Sequence, residues 1–241
     1  MINLCIDVGN TLTKVSVFDN QKMIHFEKFL HHESWRLAEL YNLYGVERAI
    51  ISSVGADVSS ILEKLSGLGT QIIVLDEKTN IPVDNCYETK ETLGKDRLAA
   101  IVGASFLYPS TDLLVVDAGT AITYDLINAA GQYLGGNISP GLQMRFSALN
   151  HYTSRLPLLK PETNYPLYGK NTTEAIRVGV QLGIVLEIDG TIDLYKQTYP
   201  NLKVIFTGGD IKYFDNKVKN FIFVISNLVM VGLNRILLYN A

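Results

Sequence analysis

The chain has 241 residues, 47% hydrophobic and 19% charged, with a formal net charge of −3. That length and composition allow one large or two ordinary globular domains with full cores. They exclude a basic nucleic-acid-binding surface, because Lys and Arg are dispersed, and a membrane span, because no apolar run reaches roughly 20 residues.

In chain order, the apolar run Ile2-Asn3-Leu4-Cys5-Ile6 ends at Asp7-Val8-Gly9-Asn10-Thr11, and the alternation Thr13-Lys14-Val15-Ser16-Val17-Phe18 leads back. This predicts strand, tight turn and return strand. A helix over 34–44, a strand over 48–53, a helix over 58–65 and a strand over 71–75 follow. A polar loop covers 76–92, and a helix begins near Asp96 and is ended by Pro109. The second half opens on Leu113-Leu114-Val115-Val116, turns at Asp117-Ala118-Gly119-Thr120 and returns through 121–127, repeating the first device 110 residues later. A loop over 135–141, a helix over 172–198, a strand over 203–206 and a helix over 226–239 complete the series. Strands alternating with helices predict an α/β chain whose helices cover a mixed sheet. The matching openings predict two similar lobes, 1–112 and 113–241, with a cleft between them; the last helix is free to return to the first lobe. A start directly on a strand, without a basic leader, and two thiols with no partner at ligand spacing fit a reducing, cytoplasmic setting.

A carboxylate at a strand end beside a glycine turn is ordinary turn chemistry when it occurs once. Here it occurs twice, and Val204-Ile205-Phe206 runs into a third glycine turn, Thr207-Gly208-Gly209-Asp210. Such turns offer backbone N–H groups and hydroxyls to an anion, while the carboxylates can hold a cation beside it. Three of them favour a nucleotide. The helix that begins at Asp96 raises two readings for that residue. It is a carboxylate favoured by the helix N-terminus, or a proton acceptor for a substrate hydroxyl with Arg97 beside it to bind an anion. His25, His31, His32 and His151 show neither metal nor triad spacing.

Asp-x-Gly-Asn-Thr, Asp-Ala-Gly-Thr-Ala and a strand ending in Thr-Gly-Gly resemble the phosphate-1, phosphate-2 and adenosine motifs of the actin-like ATPase and sugar kinase superfamily. Tyr87 followed by Gly94-Lys95-Asp96-Arg97, then Gly135-Gly136-Asn137-Ile138-Ser139-Pro140-Gly141, Leu156-Pro157 and Asn171-Thr172, resemble the type III pantothenate kinases. The resemblance implies two ribonuclease H-like lobes, a duplicated actin-like ATPase fold, and ATP-dependent phosphorylation of the primary hydroxyl of pantothenate. It further implies that Asp7, Val8, Gly9, Asn10, Thr11, Leu12, Thr13, Lys14 and Thr120 hold ATP, with Asp7 organising Mg²⁺ through water. Asp117 would bind a monovalent cation, K⁺ or NH₄⁺. Asp96 would be the general base, Tyr87, Gly94, Lys95 and Arg97 would contact pantothenate, and Thr172 would close over it. Relatives commonly carry a Pro between the Tyr and the Gly-x-Asp-Arg; here Glu88-Thr89-Lys90-Glu91-Thr92 lacks one, which leaves the segment less rigid before binding. Small residues at Ala175, Gly179 and Gly183 let another helix approach, either within the chain or across a homodimer seam, and the family is similarly dimeric. The rival readings are a kinase for another small hydroxylated acid or sugar, and an ATP-binding regulatory protein without an acceptor.

Overall fold

The computed structural model describes residues 1–9, 12–53 and 58–241. These fall into two compact units, one of 1–110, 130–134 and 227–241, the other of 111–129 and 135–226.

The first unit is built on a five-stranded sheet ordered β3-β2-β1-β4-β5. Its strands are β1 (Ile2–Val8), β2 (Thr13–Asp19), β3 (Lys22–Phe29), β4 (Arg48–Ser53) and β5 (Gln71–Val74). β1, β2 and β3 are antiparallel in chain order, whereas β4 and β5 run parallel to β1. Alternation along β1 sends Leu4, Ile6 and Val8 to a cluster with Leu37 and Leu40 of α1 (Arg36–Tyr44) and Ile61 and Leu65 of α2 (Ser59–Ser66). Asn3, Cys5 and Asp7 therefore share the opposite face. There the Asn3 amide donates to Asn234 Oδ1 at 2.8 Å, and Asn234 belongs to α7 (Leu228–Tyr239). α7 packs against β1 and β4 and along α3 (Lys95–Leu107). The two helices meet at glycines: a Cβ on Gly232 would lie 1.7 Å from the Ala99 carbonyl oxygen, and one on Gly103 2.6 Å from that of Leu228. Both faces of β1 are thus covered, as its near-continuous apolar sequence requires.

The second unit repeats this plan. Its strands are β7 (Leu113–Ala118), β8 (Ala121–Ile127), β9 (Gln132–Pro140), β10 (Lys203–Thr207) and β11 (Phe223–Val224), ordered β11-β10-β7-β8-β9. β7 and β8 form an antiparallel hairpin, and β10 and β11 run parallel beside β7. Leu114, Val116 and Ala118 pack with α4 (Leu142–His151) and α5 (Thr172–Thr198) around Phe146, Ile184 and Ile188. A short α6 (Ile211–Phe214) adds Phe214 to the same core. The first residues of β9 belong to the first unit, where Gln132 and Tyr133 pair with β6 (Asp84–Asn85). Both sheets are the hairpin-plus-parallel-strands arrangement expected of a duplicated actin-like ATPase fold.

Three local readings change. Residues 135–141 lie mostly in β9 and not in a loop, because Gly135 and Gly136 continue a strand that begins at Gln132. β3 extends the first hairpin to three strands over a polar sequence whose burial does not alternate. α4 follows β9 directly, with little hydrophobic periodicity to announce it, since only Leu142 and Phe146 are buried. Among the described residues no helix is long and apolar enough to cross a membrane.

Candidate active site

The two hairpins place their carboxylates alike. Asp7 is the penultimate residue of β1, on the face away from α1 and α2. Asp117, near the end of β7, alternates away from the Leu114, Val116 and Ala118 face that packs on α4 and α5. In each turn the glycine N–H is spent on closure: Gly9 donates to the Leu12 carbonyl at 3.1 Å, and Gly119 to that of Ala121 at 3.0 Å. These two glycine amides are therefore not free to meet an anion. Asn10 and Thr11 lie outside the described residues. Val8 is buried, Leu12 is half-buried, and buried Thr13 shares a hydrogen bond with His31 Nδ1 at 2.9 Å.

Asp7 is only 3% exposed. Lys14, directly across the hairpin in register, donates to Asp7 Oδ2 at 3.3 Å. Neither Asp7 Oδ1 nor Ser52 Oγ, its neighbour on β4, has a hydrogen-bond partner among the described residues. Burial pushes the Asp7 carboxyl above the ordinary carboxylate range; the Lys14 cation opposes that shift, and the charge of Asp96 adds to it. Asp7 and Asp96 thus share one electrostatic neighbourhood within the first unit. Opposite Asp117, the residue equivalent to Lys14 is Thr123, so this carboxylate faces no lysine across its hairpin.

The phosphate-2 turn is held from two sides. Gly141 N–H donates to the Thr120 carbonyl at 3.1 Å, and Asp210 N–H to that of Ala118 at 2.9 Å. Gly208 sits at φ +106°, and a Cβ there would lie 2.2 Å from the Ala118 carbonyl and 2.5 Å from Asp117 Oδ1. Only glycine lets the Thr207–Asp210 turn close down on the hairpin in this way. Behind Gly141, Arg145 donates to Glu187 at 2.6 Å, to Ser139 Oγ at 2.9 Å and to the Pro140 carbonyl at 2.9 Å, which ties α4, α5 and the end of β9 together. Burial works against the Glu187 charge, yet the hydrogen bonds from Arg145 and Ser139 outweigh it and hold the carboxyl below its ordinary range. Thr120 itself is exposed at the turn.

The residues expected to meet the acceptor lie at and near the start of α3. Gly94 is its N-cap, Lys95 and Asp96 occupy its first turn, and Asp96 Oδ1 accepts the Arg97 N–H at 2.8 Å. A carboxylate there is favoured by the helix dipole, and its Oδ1 already meets one of the first-turn amides. Arg97 is buried; its guanidinium lies 5.5 Å from the Tyr87 ring centroid and donates to the Tyr133 hydroxyl at 3.2 Å. Tyr87 and Tyr133 stack with centroids 6.0 Å apart and planes 5° apart. Sequence reasoning did not pick out Tyr133: it lies 36 residues from Arg97 and reads as one more strand aromatic. Thr172 belongs to the other unit, at the first position of α5. There Asn171 Oδ1 caps the Glu174 N–H at 3.0 Å and Glu174 Oε2 takes the Lys170 N–H at 2.8 Å, which fixes the helix start and leaves Thr172 exposed.

A family profile for type III pantothenate kinases matches residues 3–194. The type III pantothenate kinase of Bacteroides fragilis (strain YCH46) is 47% identical over 239 residues, covering 99% of this chain and 98% of its own. The chain belongs to the type III pantothenate kinase family. The type III pantothenate kinase of Cytophaga hutchinsonii is 41% identical, covering 99% of this chain and all of its own. Among solved structures, a conserved Campylobacter jejuni protein assigned to the Baf family of transcriptional activators matches with a TM-score of 0.64 at 24% identity, covering 98% of both chains. The activator of 2-hydroxyisocaproyl-CoA dehydratase from Clostridium difficile, solved with bound ADPNP, matches with a TM-score of 0.55 at 12% identity over 99% of this chain and 94% of its own. At those identities the structures speak to the two-lobed actin-like ATPase fold, which this chain shares.

Proposed function

We propose that the chain carries out its family's reaction: the γ-phosphoryl group of ATP passes to the primary hydroxyl of pantothenate, giving 4′-phosphopantothenate, the first step toward coenzyme A. The observation that carries this reading is the acceptor group on α3, where the Asp96 carboxylate stands beside the buried Arg97 and within electrostatic reach of Asp7. Asp96 takes the hydroxyl proton as the phosphoryl group arrives, and Arg97, with Tyr87, Gly94 and Lys95, binds the acceptor through its carboxylate. Thr172 closes over it. The transition state is loose and its charge sits on phosphoryl oxygens, so positioning and charge neutralisation supply most of the rate. Residues 7–14 and Thr120 hold ATP. Because Lys14 is already engaged by Asp7, Lys95 is the nearer candidate for charge on the transferring group.

Mg²⁺ fits beside Asp7. This ion takes one or two carboxylates and keeps several waters, and the buried Asp7 Oδ1 lacks a partner among the described residues. When bound, it would neutralise phosphate charge. A monovalent cation, K⁺ or NH₄⁺, fits at Asp117, where Thr123 stands in the place of a lysine. Homodimerisation through α5 is supported by Gly179, Gly183 and Gly190, where an added Cβ would meet nothing within 4 Å among the described residues outside the helix, and by the exposed Leu186 and Leu194 on the same helix. A cytoplasmic setting accords with the two free cysteines.

The test is a coupled ADP-release assay with Mg-ATP and pantothenate in K⁺ or Na⁺, on wild type and Asp96→Asn. ADP release should require pantothenate, and the variant should lose about 10²–10⁴ in turnover while binding ATP nearly as before. An unchanged rate in the variant would remove Asp96 as the base. ATP binding without pantothenate-dependent turnover would remove the acceptor.

A further inference from the structure

Tyr133 is fully buried at the start of β9, and three parts of the acceptor group converge on it. Its carbonyl accepts the Cys86 N–H at 3.0 Å, in a short parallel pairing that sets Asn85 opposite Tyr133. Asn85 Oδ1 in turn accepts the Tyr87 N–H at 3.0 Å, so the backbone that presents Tyr87 is anchored on Tyr133. The Tyr133 ring stacks on the Tyr87 ring, and its hydroxyl accepts from Arg97 Nη2 at 3.2 Å.

A guanidinium presents five N–H donors in one plane, so its usefulness to a carboxylate depends on the direction of that plane. Two of the contacts that restrain Arg97 come from these rings. The Tyr87 ring holds the cation by its π-face, and the Tyr133 hydroxyl holds one end of the fork. Moving either ring moves the other, because they are stacked.

We propose that Tyr133 is a positioning residue that sets the plane of the Arg97 guanidinium against the carboxylate of the acceptor, and so governs affinity for pantothenate without touching the chemistry at Asp96. This rests on the reading of Arg97 as the acceptor's anion contact. Tyr133→Phe keeps the burial and the ring stack and removes only the hydroxyl.

The experiment is steady-state kinetics of wild type and Tyr133→Phe, varying pantothenate and ATP separately, with thermal unfolding of both proteins. The KM for pantothenate should rise about 10–100-fold, the scale of one hydrogen bond to a charged group. kcat and the KM for ATP should stay within about twofold. The same substitution made on Arg97→Lys should change the pantothenate KM by less than about twofold, since the fork it orients is gone. An unchanged pantothenate KM overturns the proposal. So does a joint change in both KM values and kcat, which marks a general structural role, or a full independent effect on the Arg97→Lys background. Wild type that consumes no pantothenate would instead refute the acceptor itself, before any variant is compared.

Discussion

Asp7→Asn should make the metal-free protein more stable while impairing catalysis. Asp7 is 3% exposed, and among the described residues its closest charged partner is Lys14 Nζ, 3.3 Å from Oδ2, while Oδ1 lacks a well-formed hydrogen bond. The lysine side chain is 38% exposed, so the pair contributes at most about 1 kcal/mol. Against that stand the burial of a charge with one oxygen unsatisfied, which costs about 1–3 kcal/mol, and repulsion from Asp96. The ionised carboxylate is therefore a net cost of about 1–2 kcal/mol, which a neutral amide of the same shape removes. At about 2–4 °C per kcal/mol for a chain of this size, Tm should rise by about 2–8 °C. The pH dependence carries the sign. Burial raises the folded value above the roughly 3.9 of an unfolded Asp, so the native state keeps its proton to higher pH. Stability from this site is full below about pH 4, declines as pH rises toward the folded value, and then stays at the lower plateau. Scanning calorimetry in EDTA from pH 4 to 8 should show the gap between variant and wild type opening with pH. Adding Mg-ATP should stabilise the wild type more than the variant. A variant that melts at or below the wild type at pH 7, or a gap independent of pH, would refute the reasoning.

Asp117→Ala should abolish activation by K⁺ while leaving the fold intact; rates measured in K⁺ and in Na⁺ that still differ as in wild type would remove the cation site. Gly232→Ala would place a Cβ 1.7 Å from the Ala99 carbonyl, so α7 and α3 must part, at about 2–4 kcal/mol. Thermal unfolding within a degree of wild type would show that the helices are not that close. Glu187→Gln should cost about 1 kcal/mol at neutral pH, a figure kept small because the side chain is about a third exposed. Its folded value lies below the ordinary one, so this contribution is present above the unfolded value near 4.3 and is lost as pH falls through the folded value. Equilibrium unfolding of the two proteins should therefore converge at acid pH, and a constant difference would point to packing alone.

Much of the fold could be read in the sequence because the periodicities were strong. Strand 48–53 and helix 172–198 fall where apolar spacing puts them, and both phosphate hairpins follow from an apolar run meeting Asp and Gly. β3 and α4 were missed for physical reasons. β3 buries only Phe29 fully, and α4 only two residues, so neither shows a clean face. The Gly94–Arg97 motif was legible as the start of α3, where Asp96 and Arg97 are adjacent. Tyr133 was not, since its part depends on a two-residue strand pairing between Asp84–Asn85 and the start of β9, which no local pattern encodes. Likewise, that the Gly9 and Gly119 amides are consumed by turn closure is a detail only the backbone geometry supplies.

The last helix of the sequence packs on α3 and on the first strand, in a unit whose other elements are almost all synthesised before residue 111. The helix that bears Asp96 and Arg97 therefore emerges from the ribosome without the partner that covers it. At typical elongation rates that wait lasts on the order of ten seconds. The second unit receives its last residue at 226, so its hydrophobic complement is whole before the helix that completes the first unit arrives. The order of synthesis and the order of completion are then reversed. Fusions or nicks that slow delivery of residues 227–241 should leave the acceptor helix exposed to proteases while the nucleotide turns of the second unit are already formed.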